Sequence, residues 1–493
     1  MKSTYLHDQQ VIHPLLLKYE AKLNEKCCES PFFHELDEKR YGLMRRVRKS
    51  KVKLFREENI PLMVKEQELC TKYSEIMGGL TVEWEGEEKP FPFIKSQLDH
   101  LDREVREKAY HAMMSAHRQI KPDMDAIMDE LVRLRHQIAK QAGFENYREY
   151  MFVEKNREYS VQDCYDFHEN AEKHIIPAWN RLADVFKNKL GVDTYRPWDN
   201  TTAKLLKKPP YSEVSTLMDG VSEILGKTDP YFGERFNYMR GHGLLDLEVR
   251  KGKGPHAFCA PLLVSGDIFV FSNFSPSHDS LSTLIHEMGH AVNGYLEFSE
   301  HGPFDQHQWR AEIAELYSFG MQLLLLDKLD RFYPDEEDFK SAQREELRYA
   351  FTMLFSPLSG DLFQHWMYTN PTHTAEERDQ KFFEISKRFG LSPVDTSGFE
   401  EEIGMSWAGT IHYFHVPFYT IEYSMSMLGA LQLLENYQKN PEQAVESFKK
   451  GASADLNQSI AKVYEETGVR FDFSEPVVKQ MGNFLEKVIQ EIH

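Results

Sequence analysis

From residue 10 to residue 75 the chain is rich in helix formers and poor in Gly and Pro. Leu15, Leu16, Leu17 and Tyr19, then Leu43, Met44, Val47, Val52 and Leu54, are spaced to form apolar faces. Side chains three and four apart share one face of a helix, so such spacing predicts long amphipathic helices. From Ser96 the pattern resumes. Met124, Ile127, Met128, Leu131, Leu134 and Ile138 keep helical spacing, with Pro122-Asp123 read as the entry and Gly143 as the exit. Residues 160–190 and 211–226 read the same way, and Asn440-Pro441 and Ser474-Glu475-Pro476 look like helix starts.

Strand signals are few. Thr81-Val82-Glu83-Trp84-Glu85-Gly86 alternates after the Met77-Gly78-Gly79 turn, which suits a short hairpin. The character changes near Gly241. Phe258 to Val264 and Ile268 to Phe271 are apolar, β-prone runs on either side of Ser265-Gly266-Asp267, a turn signal. The clearest break is Lys207-Lys208-Pro209-Pro210. It divides the chain into a helical lobe, 1–206, and a second lobe, 207–493. The expected fold is mainly α, two-lobed, with a small sheet beside the helix described next.

That helix carries Leu284-Ile285-His286-Glu287-Met288-Gly289-His290-Ala291-Val292. His286 and His290 are four apart, so both imidazoles stand on one face. Leu281, Leu284, Ile285, Met288 and Val292 form an apolar stripe behind them. Two imidazoles so placed suit one Zn²⁺, and Glu287 beside them suits a general base. The residues alone leave open a core helix that happens to carry two histidines. Catalytic zinc takes three protein ligands and keeps a fourth position open. Glu312 and Glu315, in Trp309-Arg310-Ala311-Glu312-Ile313-Ala314-Glu315, are both candidates for the third. They are three apart and share one helix face, so spacing does not choose between them.

Together these segments resemble the thimet oligopeptidase and oligoendopeptidase F family of zinc peptidases. The resemblance rests on His286-Glu287-Met288-Gly289-His290, on Glu315-Leu316-Tyr317-Ser318, and on a block from Trp407 to Tyr423. It covers roughly residues 95–435. That family's third ligand is the Glu of a Glu-x-x-Ser segment, which only Glu315 matches. The resemblance therefore implies a zincin-type fold with a deep central cleft, and one Zn²⁺ per chain held by His286, His290 and Glu315. It implies Glu287 as general base. His412, Tyr419 and Tyr423 would be the substrate-binding and oxyanion-stabilising groups, with His415 a further candidate. It also favours an edge strand in the 258–271 hairpin that pairs with a peptide backbone, over a hairpin that is simply a small core sheet. Gln322 and Asn293 depart from the family, which usually has Glu and often has His at these positions. His301 and His307, between the two helices, are read as surface or pocket-wall residues. Ala408, Gly409 and Thr410 read as a flexible loop.

Composition narrows the alternatives. A net charge of −19 argues against a sequence-independent nucleic-acid binder. The one dense basic cluster, Arg45 to Lys53, reads as a solvated helix face. No apolar run approaches the ~20 residues of a membrane span, and the first residues lack a secretory apolar core. Five scattered cysteines suggest free thiols and a cytoplasmic location. The sequence thus points to a zinc endopeptidase acting on short peptides. A zinc exopeptidase of carboxypeptidase type, or a silent helical interaction protein, are the competing readings.

Overall fold

The computed structural model describes residues 7–200, 211–250, 253, 257–302 and 310–492. The expected break at 207–210, and His307, lie outside the described residues. The chain forms two compact units. The first comprises Met1–Tyr165, Leu190–Thr201 and Leu358–Ile421; the second comprises Asp166–Lys189, Thr202–Pro357 and Glu422–His493. Each unit therefore draws on three stretches of chain, which differs from a single division at 206/207.

The first unit is built on the helix Arg103–Gln141. This helix continues through Pro122, which the sequence predicts as a helix entry. Proline removes one backbone donor and leaves the carbonyl four residues earlier, that of Arg118, without its partner. Pro122 and Arg118 are both exposed, so water can serve that carbonyl. Met114 and Ala116 are buried before the proline and Met124, Ile127, Met128 and Leu131 after it, with Ile120 half-buried between. Packing thus outweighs the local break signal. The exit is as expected: Gly143 has φ +87°, and the Phe144 N–H returns to the Ala139 carbonyl.

The Thr81–Trp84 and Glu87–Pro90 strands pair antiparallel, turning at Glu85 and Gly86, both at positive φ. Val82, Trp84, Phe91 and Ile94 pack on Ala109 and Ala116 of the long helix. Burying each of the larger side chains contributes about 1.5–3 kcal/mol. The basic cluster lies on the helix Glu38–Leu54, where Arg45, Arg46 and Lys51 pair with Glu38, Glu158 and Glu20.

In the second unit Phe258–Leu262 pairs antiparallel with Asp267–Phe271. Leu245–Asp246 adds in parallel on the other side, so Phe258–Leu262 is an edge strand. The helix His278–His301 follows at once. Ser277 caps its start by accepting from the Ser280 N–H. The next helix, Ala311–Leu324, is buried at all fourteen positions. A carboxylate on such a helix needs partners, because an isolated buried charge is costly. Asn440 caps Pro441–Ala452, and Ser474 precedes Glu475–Glu491, as the sequence predicts. No helix among the described residues is long and apolar enough to cross a membrane.

Candidate metal centre

The helices His278–His301 and Ala311–Leu324 meet at Gly289. A Cβ at Gly289 would overlap the backbone of Tyr317 and Ser318. The lack of a side chain lets the two backbones touch, which carries Glu315 up to the histidine face. One ligand atom from each of His286, His290 and Glu315 lies within 4.8 Å of the others. Glu315 Oε2 is 3.4 Å from His286 Nε2 and 3.7 Å from His290 Nε2. Tetrahedral zinc with bonds of about 2.0–2.2 Å separates its ligand atoms by roughly 3.3–3.6 Å. The donor set and its spacing therefore fit a zinc ion with little movement.

Neighbouring groups hold two of these side chains in place. His286 Nδ1 is 2.9 Å from Gln322 Oε1, which leaves Nε2 facing Glu315. Gln322 is itself held, donating to Ser282 Oγ at 2.8 Å. The departure from Glu at this position thus keeps the orienting bond without adding a charge. Ser318 Oγ donates to Glu315 Oε2 at 3.0 Å, which gives the Glu-x-x-Ser spacing a physical reason. Asn293 is buried and donates to the Ala452 carbonyl, so it serves packing between helices. Glu312 is buried too, and of the two carboxylates it is the one that stands outside the cluster. His301 is exposed and bonds the Ser453 carbonyl.

Burial pushes the Glu315 carboxyl up, but His290 and His286 more than offset it and hold the group below its usual range. Burial and the neighbouring His286 hold His290 down to about 4, so its imidazole is neutral near pH 7. Burial pushes the Glu287 carboxyl up to about 7, opposed by His286 and aided by Glu315. A nearby divalent cation would draw that value down. Glu287 and His286 both face a cavity of 460 Å³, with Ser282, Gln322, Glu346 and Tyr349 on its wall. Tyr349 was not singled out in the sequence, where nothing local distinguishes it from a packing aromatic. Burial raises its phenol first, and the charges of Glu315, Glu346 and Glu287 add to this.

Tyr423 stands in the first turn of Thr420–Lys439. Its ring is 6.2 Å from Phe319, which in turn packs 5.2 Å from His286. His412, Tyr419 and His415 belong to the first unit. The His412 and Tyr419 rings stack at 6.0 Å, and Lys155 lies 5.0 Å from the Tyr419 ring centre. His415 Nε2 is 3.0 Å from Ser74 Oγ. Arg135 anchors this segment by donating to the Tyr413 and Phe414 carbonyls. Ala408 and Gly409 form part of a short 3-10 helix, in place of the flexible loop the sequence predicts. The buried Trp407 tethers that helix through a 2.7 Å bond to Asp379.

The model of peptidase family M3 matches residues 96–483, most of the chain. Oligopeptidase PepF of Bacillus subtilis is 22% identical over 467 residues, covering 87% of this chain and 66% of that protein. Group B oligopeptidase PepB of Streptococcus agalactiae is 22% identical over 436 residues, covering 83% of this chain and 70% of the relative. The chain thus spans about two thirds of the length of these curated relatives. Among solved structures, PZ peptidase A with an inhibitor superposes with a TM-score of 0.91 at 23% identity, over 99% of this chain and 87% of that one. The mainly helical architecture is therefore one already seen in peptidases. By its sequence match the chain belongs to peptidase family M3, on the oligoendopeptidase F-like side of that family.

Proposed function

We propose that this chain is a zinc-dependent endopeptidase that hydrolyses short, unstructured peptides. The observation that carries the reading is one partly buried cluster: His286, His290 and Glu315 within ligand distance, with Glu287 beside His286 on the wall of one cavity. The relatives' names, oligopeptidase in both cases, support a short-peptide substrate. His286, His290 and Glu315 would hold one Zn²⁺ at this centre. Bound there, the ion supplies a Lewis acid for a peptide carbonyl and lowers the pKa of water.

The chain's own groups do the rest. Glu287 is next to the first ligand but not in the ligand cluster. Its carboxyl accepts a proton from the attacking water and returns it to the leaving amine. The Tyr423 hydroxyl donates a hydrogen bond to the carbonyl oxygen as negative charge grows there. The resemblance gives His412 and Tyr419 substrate-binding roles. The Phe258–Leu262 edge leaves one row of backbone groups outside the sheet, which suits an extended peptide of any sequence. Five free cysteines support a reducing, cytoplasmic location.

The test is digestion of a mixture of end-blocked peptides, with and without chelator, read by mass spectrometry. Internal cuts that vanish on chelation are expected. Release of terminal residues alone, from unblocked peptides only, would support the exopeptidase reading instead. Full activity in metal-free protein would overturn the zinc assignment.

A further inference from the structure

A second set of metal-binding side chains lies in the first unit, apart from the proposed centre. Cys164, Asp361 and His365 each place a ligand atom within 4.8 Å of the other two. All three side chains are buried, at 0%, 0% and 1% exposure. Cys164 lies near the start of the helix Val161–His174, just past the Ser160–Asp163 bonds that open it. Asp361 and His365 are four apart on Glu336–Thr369, so both point from one face, as His286 and His290 do on theirs. Asp361 Oδ2 and His365 Nε2 are 3.1 Å apart. That is close to the roughly 3.3–3.6 Å that tetrahedral zinc imposes between O and N ligands. The spacing also resembles that between Glu315 and the two histidines, 3.4 and 3.7 Å.

We propose that Cys164, Asp361 and His365 bind a second, structural divalent ion of zinc type. The donor set is mixed sulfur, nitrogen and oxygen, which suits a borderline-soft ion and disfavours Mg²⁺ or Ca²⁺. A thiolate and a carboxylate balance a divalent charge, so the loaded site carries no net charge in a dry place. The surroundings are mainly aromatic, with the Arg157 guanidinium over two of the rings, Phe152 and Phe418. The rings of Tyr165, Phe418 and Phe152 stand 5.0, 5.4 and 6.0 Å from the His365 ring. An ion so enclosed joins two helices and exchanges slowly, being taken up as the chain folds. The competing occupant is a proton shared by Asp361 and His365.

Co²⁺ reports on the site directly. A thiolate ligand gives a sulfur-to-cobalt charge-transfer band in the near ultraviolet, which a site of two histidines and a carboxylate does not. Purified full-length protein would be reconstituted with Co²⁺, its spectrum recorded, and its metal content measured. The expected result is about two ions per chain and a sulfur band. The band should disappear in Cys164→Ser and persist in Cys259→Ser, the control for the thiol whose environment feels Glu287. His365→Ala should lower the content by one ion per chain, with His290→Ala retaining the sulfur band. One ion per chain and no sulfur band in the unaltered protein would overturn the proposal, and that measurement does not depend on any variant folding. A band lost in Cys259→Ser and kept in Cys164→Ser would overturn it equally. Loss of peptide hydrolysis with the sulfur band intact would count against the peptidase reading alone.

Discussion

Gly289 and Tyr317 meet backbone to backbone, and no side chain fits between them. The contact sits between His286 and His290 on one helix and two residues past Glu315 on the other. It therefore sets the distance from the histidine pair to its carboxylate. Gly289→Ala must push the helices apart or distort one of them. Overpacking of this kind costs about 1–3 kcal/mol. The expected outcome is a lower urea midpoint together with loss of bound zinc. Unchanged metal content would show that the close approach matters for packing only.

Gln322 orients His286 and is itself held by Ser282. Removing such an orienting partner typically weakens metal affinity about 10–100-fold. Gln322→Ala should show this in competition with a chelator of known affinity. Ser282→Ala removes only the outer bond and should cost less. Equal affinity in wild type and Gln322→Ala would mean that Phe319, packed on the same ring, is enough to orient it.

A pH prediction comes from the first unit. Asp199 is fully buried, where it accepts from Arg103, Arg106 and the Arg196 N–H. Burial pushes its carboxyl up, but these bonds more than offset burial and hold it below the usual range. A depressed folded-state value means stabilisation that is present above the unfolded value of about 3.9 and is lost as pH falls through the folded one. Asp199→Asn leaves Arg106 buried without its counter-charge, at a cost of roughly 3–5 kcal/mol near neutral pH. The gap in urea stability between wild type and variant should narrow as pH falls below about 4. A gap that stays constant with pH would show that the carboxylate charge contributes nothing.

Much of the candidate site was legible because its residues are local in sequence. His286, Glu287 and His290 fall within one helical turn and a half, and the apolar stripe behind them marks the buried face. The choice of Glu315 over Glu312 was not legible from spacing. Both lie on a helix buried on every side, so polarity gives no inward face to read. The hairpin at 258–271 was legible from its turn, whereas the parallel pairing of Leu245–Asp246 involves two residues and carries no pattern. Pro122 misled because a proline signal is local, while the stripe that overrides it spans the helix on both sides. Tyr349 reaches the cavity wall only through the packing of distant helices, and its own neighbourhood in the sequence looks like any other helix.

The roles of Glu287 and Tyr423 separate kinetically. Glu287→Gln keeps shape and the three ligands but removes the base. Loss of a general base typically costs about 10²–10⁴-fold, and more where the same group also carries the proton to the leaving amine. Zinc content should equal that of wild type. Tyr423→Phe removes one hydroxyl and keeps the ring beside Phe319, so packing should survive. If the hydroxyl bonds the carbonyl oxygen only as charge develops, kcat falls roughly 10²–10³-fold and KM barely moves. A raised KM with kcat intact would instead make Tyr423 a ground-state binding residue. No change in either constant would make it a packing aromatic and make Tyr349, on the cavity wall, the next donor to test by Tyr349→Phe.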